Sequence, residues 1–118
     1  MKNQRPLMRG YQEDEARDFI LSRLDPKAYR SLRDQLSQLI AEFIIYDLHF
    51  MRVTGVLDEN GEQGDNEYDD DEAFEFIYDA WLSDHPDQDD EEMTVAALLN
   101  EYMDLQYAFL QAHGLTDM

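Results

Sequence analysis

Between Val95 and Ala112 apolar residues recur in alternating steps of three and four, at Val95, Leu98, Tyr102, Leu105, Phe109 and Ala112, while Glu101, Asp104 and Gln111 stay off that seam. This spacing keeps one stripe of a 3.6-residue helix apolar, and it predicts a helix capped by Thr94 and stopped by Gly114. Leu115 after that glycine fits a Schellman-type ending in which it packs near Leu110.

Three further stretches follow the same period. Ala16, Phe19, Ile20 and Leu24 predict a first helix from Glu13, whose acids Glu13, Asp14 and Glu15 suit the positive end of the helix dipole. Asp25-Pro26 reads as a junction, with Asp25 capping a second helix that starts near Pro26. Its apolar positions Leu32, Leu36, Leu39, Ile40, Phe43, Ile44, Phe50 and Val53 hold a helical phase, and Phe43 to Leu48 is apolar on most sides. Unbroken to Thr54 it would be about 43 Å long at 1.5 Å per residue, so a bend is expected between Ser31 and Ser37. Gly55 ends it. The third helix begins near Asp70, where Asp69, Asp70, Asp71 and Glu72 cap and charge its first turn, presents Phe74, Ile77 and Trp81 with Ala73, Phe76 and Ala80 alongside, and stops at His85-Pro86.

The segments between are acidic loops, Asp58 to Asp70 and Asp87 to Glu92, and residues 1–12 read as a loosely ordered arm from which Leu7, Met8 and Tyr11 could dock on the body. With no strand signal longer than three residues and no internal repeat, the expected fold is all-α. It is a compact antiparallel bundle of about four helices in one domain, residues 13–118. The expected core is Phe19, Ile20, Leu36, Leu39, Ile40, Phe43, Phe50, Phe74, Ile77, Trp81, Leu98, Leu99, Tyr102, Leu105 and Phe109.

Charge changes the picture more than composition does. Of 118 residues 43% are hydrophobic, enough to bury a core, yet the formal net charge is −19. All nine Lys and Arg, from Lys2 to Arg52, precede Val53, and residues 53–118 carry twenty of the twenty-eight acids with no base at all. Such a surface repels nucleic-acid phosphates and anionic lipid and attracts cations or basic proteins within a Debye length of about 8 Å at physiological salt. A saline habitat would also favour acids, but it would spread them along the whole chain. The absence of Cys excludes disulfides and thiolate chemistry. No apolar region follows the basic residues of the N-terminus, and Leu39 to Val53 is interrupted by Glu42, Asp47, His49 and Arg52. The expectation is a cytoplasmic protein without a membrane span.

Candidate chemistry is sparse. The loop from Asp58 clusters oxygen donors, but Gln63 stands where an EF-hand needs glycine and Asp69 where it needs a bidentate Glu, so a solvated loop outweighs a calcium site. No Glu-x-x-His pair for a di-iron bundle occurs. His49 reads as a hydrogen-bonded core or boundary residue, and His113 as a favourable charge at a helix C-terminus. The serines fall inside helical pattern, and Gly55, Gly61 and Gly64 sit among acids that would repel a phosphate. No catalytic, cofactor or metal site is expected, and the chain reads as a non-enzyme.

What remains is the acidic stripe of Glu72, Glu75 and Asp79, with Glu101 and Asp104 on the fourth helix. Like charges at this spacing cost on the order of a few tenths of a kcal/mol per pair, which invites compensation. It could come from Arg17, Arg23, Lys27, Arg30 and Arg33 in the first two helices, or from a basic partner. Imitation of DNA would be a third answer. In bulk character, small, helical and strongly acidic, the chain resembles phage proteins that mimic DNA and block DNA-binding enzymes, a resemblance carried by no motif. The leading expectation is a non-catalytic interaction module that binds a basic protein surface through these five acids and does not bind nucleic acid directly. The alternatives are a DNA mimic and a divalent-cation-responsive protein using loop 58–71. The apolar excess on Leu39 to Met51 leaves room for a homodimer face.

Overall fold

A computed structural model describes residues 11–25, 27–58, 66–87 and 89–114, apart from the side chains of Arg33 and Asp89. The chain is an all-α bundle of four helices, α1 (Glu13–Arg23), α2 (Leu36–Val53), α3 (Asp70–Asp84) and α4 (Glu92–Ala112). Short 3-10 segments at Arg30–Gln35 and Asp89–Glu91 lead into α2 and α4. Consecutive helices pack side by side and α4 closes the ring against α1. Between α2 and α3, Glu42 meets His85, Tyr46 meets Asp84 and His49 meets Phe76, so rising numbers on one helix face falling numbers on the other and this pair is antiparallel. Among the described residues no helix is long and apolar enough to cross a membrane.

One continuous cluster fills the centre, drawing Ile20 from α1, Phe43 from α2, Trp81 from α3 and Tyr102 from α4. Of the expected core, Phe19, Phe74 and Leu105 are only partly buried and pack against its edge. Leu24, Tyr29, Leu32, Ile44, Met51, Val56, Leu57, Val95 and Leu110 join it. Several of these lie at helix ends and turns, where a helical period gives no signal.

The helix boundaries depart from the sequence reading at two starts. α2 begins at Leu36 and not near Pro26: the expected bend is realised as the 3-10 turn Arg30–Gln35, and Asp25 accepts a hydrogen bond from the Lys27 amide as a local turn. α4 begins at Glu92, which places Thr94 inside its first turn, where it cannot act as the cap. At α3 the signal was sufficient. Asp69, extended, accepts from the Glu72 amide at 3.1 Å, and Asp70, Asp71 and Glu72 fill the first turn, where the helix dipole favours carboxylates.

A tight turn closes α2. Gly55 adopts φ +80, its amide returns to the Arg52 carbonyl, and the Leu57 amide returns to Met51, folding Val56 and Leu57 back into the core. Asn66 then clamps the turn, its amide donating to the Gly55 carbonyl and its side chain to the Thr54 carbonyl. A Cβ at Gly55 would meet Asn66 Nδ2 at 2.7 Å, so this position needs glycine for both conformation and space. Of the expected cation-responsive loop 58–71, residues 59–65 lie outside the described residues, as do residues 1–10 of the arm and Leu115. Tyr11 is described, and its ring packs edge-on against Phe109.

Candidate functional site

Two sets of carboxylates occupy different parts of the bundle. The outer face of α3 carries Glu72, Glu75 and Asp79, all exposed. On α4, Asp104 is exposed and lies close enough to Asp70 to help raise the latter's pKa, an effect led by partial burial and shared with Asp69 and Asp71. Glu101 is placed differently. Half-buried, it accepts a hydrogen bond from the Tyr29 hydroxyl and so ties α4 to the turn before α2. The five sequence-predicted residues thus fall into a patch on α3, a neighbour at its N-terminal end, and one member held inside the fold.

Among the described residues the first-half bases do not answer these acids. Arg17 reaches Asp14 on its own helix at 3.8 Å, and the Arg23 guanidinium lies 3.8 Å over the Phe19 ring while bonding Ser22 Oγ. Among the described residues no Lys or Arg side chain is paired with a carboxylate of α3 or α4.

Neutral donors take the place of cations. Among the described residues tyrosines donate to carboxylates: Tyr29 to Glu101, Tyr46 to Asp84 at 2.5 Å, Tyr78 to Glu92 at 3.5 Å, and Tyr68 and Tyr102 both to Asp47. Each joins two elements, so the hydroxyls act as cross-braces that carry no charge of their own. His85 adds another, its Nε2 3.0 Å from Glu42 Oε1 and its ring stacked on Trp81.

Asp47 is the centre of this second set. It is 1% exposed, and its two oxygens accept from Tyr68 Oη at 2.8 Å and Tyr102 Oη at 2.7 Å. Gln106, 3% exposed, donates from Nε2 to Tyr102 Oη at 3.2 Å and to Tyr11 Oη at 2.8 Å. Since a hydroxyl has one proton, the chain has a fixed polarity: the Gln106 amide donates to Tyr102, and Tyr102 donates to Asp47. Burial pushes the Asp47 carboxyl up to about 6, against the opposing pull of the two hydroxyls, and nearby Asp70 pushes the same way. The Tyr68 and Tyr102 hydroxyls, buried beside this carboxylate, are shifted well above their ordinary range. Gln106 Oε1 and the Trp81 indole N–H are buried with no hydrogen-bond partner among the described residues.

The network lies outside the residues expected from sequence, although helical phase carries a signal for it. Asp47 lies four residues after Phe43 and three before Phe50, and Gln106 lies four after Tyr102 and three before Phe109, so both occupy the buried phase of their helices. His49, expected at the core or boundary, is exposed, with its ring against Phe76 at 5.9 Å. The reason is phase: two residues beyond buried Asp47, it points outward. Among the described residues no three His, Asp or Glu side chains gather into a metal-binding group.

The chain matches no protein-family model, no curated protein and no solved structure.

Proposed function

We propose that this protein is a non-catalytic interaction module whose acidic α3 face binds a basic protein surface. One observation carries the reading. Glu72, Glu75 and Asp79 are exposed and have neither a cation nor a hydroxyl donor among the described residues, whereas the acids at the helix seams are each given a tyrosine, serine or histidine. Like charges three and four residues apart on one helix are mildly unfavourable, and beyond the helix dipole at Glu72 no described side chain relieves them. A basic partner would relieve them by direct pairing, and the field of the whole acidic half would steer its approach. Asp104 stands close to Asp70 at the start of α3, while Glu101, held by Tyr29, belongs to the fold.

The test is reversal of all three acids, Glu72→Lys, Glu75→Lys and Asp79→Lys, in the full chain, with bound proteins captured from a lysate of the source cells. Salt-sensitive capture of a basic protein that the triple variant loses supports the reading. The same capture by both proteins removes the α3 face from consideration. Excess duplex DNA added to the captured complex identifies the target class: displacement turns the reading into mimicry of DNA.

A further inference from the structure

The acidic face does not stand alone. On α2, Ile45 and Val53 are 56% and 59% exposed, and exposed His49 lies between them. Spaced by four, the three form one stripe along the outside of α2. The antiparallel register of α2 and α3 is fixed by Glu42 against His85, Tyr46 against Asp84, and His49 against Phe76. One turn either way from the His49–Phe76 contact, Val53 comes level with Glu72, and Ile45 with Asp79 and Ala80. Two stripes therefore run side by side for about 12 Å, one apolar on α2 and one acidic on α3, with half-buried Phe76 between them.

We propose that this pair of stripes is a docking surface for a basic amphipathic helix. The inference deepens the proposed function and rests on it. Two adjacent antiparallel helices leave a shallow valley into which the ridge of a third can settle. An occupant lying there sets apolar residues spaced by three and four against Ile45, His49, Val53 and Phe76. Its Lys or Arg residues on one flank then meet Glu72 and Asp79, with Glu75 one step further out. Arg52 borders the stripe on the side away from α3 and would meet the opposite flank of the occupant, which fixes the occupant's orientation about its own axis. A second copy of this chain is the poorer fit. Each copy carries −19, and antiparallel pairing of two α2 stripes brings the α3 acids of both copies to the same side.

The probe is a synthetic amphipathic helix of Leu and Lys, with a scrambled peptide of the same composition as control. Binding to the full chain is measured by calorimetry at about 150 mM salt, where surface charge alone is substantially screened. The expected result is binding of the amphipathic peptide at least about tenfold tighter than of the scrambled one. Ile45→Ser with Val53→Ser should weaken it by about tenfold or more, since burial of one aliphatic side chain contributes that much. Both positions are exposed, so that variant keeps its fold, as circular dichroism would verify. Equal affinity for the two peptides overturns the inference. So does undiminished binding to the serine variant; if Glu72→Lys, Glu75→Lys, Asp79→Lys still abolishes binding, the acidic face survives without its apolar companion. Undiminished binding to the lysine variant overturns both readings together.

Discussion

The carboxylate at the α2–α4 seam and those on the outside of α3 respond to the same shortage of bases in opposite ways. At the seam, Asp47 is withdrawn from water and given two tyrosine hydroxyls, one of them held in turn by Gln106. On α3, Glu72, Glu75 and Asp79 stay in water with no donor among the described residues. A hydroxyl can serve a carboxylate without adding charge, so the interior needs no arginine. Solvent does the same for the exterior until a partner displaces it. The contrast separates acids that organise the fold from acids left for something else, which the net charge alone cannot do.

The comparison breaks most visibly at Tyr102. Tyr102→Phe deprives the buried carboxylate of one of its two donors and Gln106 of an acceptor, and should destabilise the protein by about 3 kcal/mol at pH 7 in urea titration. The loss should shrink as pH falls and Asp47 takes up its proton. An equal loss at all pH values would mean that the Tyr102 hydroxyl contributes through Gln106 and not through the Asp47 carboxylate.

A smaller effect follows from the carboxyl itself. Its folded pKa, about 6, lies above the value of about 3.9 usual for an unfolded Asp. The folded state therefore binds the proton more tightly, and the ionised carboxylate weakens the fold above pH 6. Stability should rise as pH falls from 6 toward 4, by about 2 kcal/mol between pH 7 and pH 4.5. Asp70, also raised, works in the same direction. Asp47→Asn keeps an acceptor for one tyrosine and offers a donor to the other, and should flatten most of this slope. A wild-type protein that loses stability over the same interval would show that Asp47 does not govern its acid response.

The smallest effect belongs to the other region. Glu72→Lys, Glu75→Lys and Asp79→Lys should each change stability by no more than about 0.5 kcal/mol, toward stabilisation at Glu75 and Asp79 as like-charge neighbours are removed, and toward a small loss at Glu72, whose carboxylate the first turn of α3 favours. Thermal unfolding of the three single variants measures it. A larger loss at any of them would place that acid among those that hold the fold.

Much of the bundle was legible because its signals are local. The α4 seam from Val95 to Phe109, the Asp69 cap and the Gly55 stop each act within a turn or two, and each gave its element directly. The starts of α2 and α4 were misplaced where 3-10 turns intervene, since these carry no distinct period. The α3 acids were legible as a stripe because a helix fixes which residues share a face. Glu101 was grouped with them because its neighbour in space, Tyr29, lies seventy-two residues away in sequence. Val53 shares the apolar helical phase of α2 and is nonetheless exposed for a related reason: period shows which side chains share a face and not which face is covered.

The sequence by itself determined the helical class, most of the stripes that build the core, and the segregation of charge that withholds Lys and Arg from the last sixty-six residues. Only the tertiary structure decided which acids have partners. Hydrogen bonds such as Tyr102 to Asp47 form between helices far apart in sequence, and a hydroxyl in reach of a carboxylate leaves no trace in the pattern of either helix. Burial, which gives that bond its strength and moves the Asp47 proton, is likewise a property of the assembled bundle.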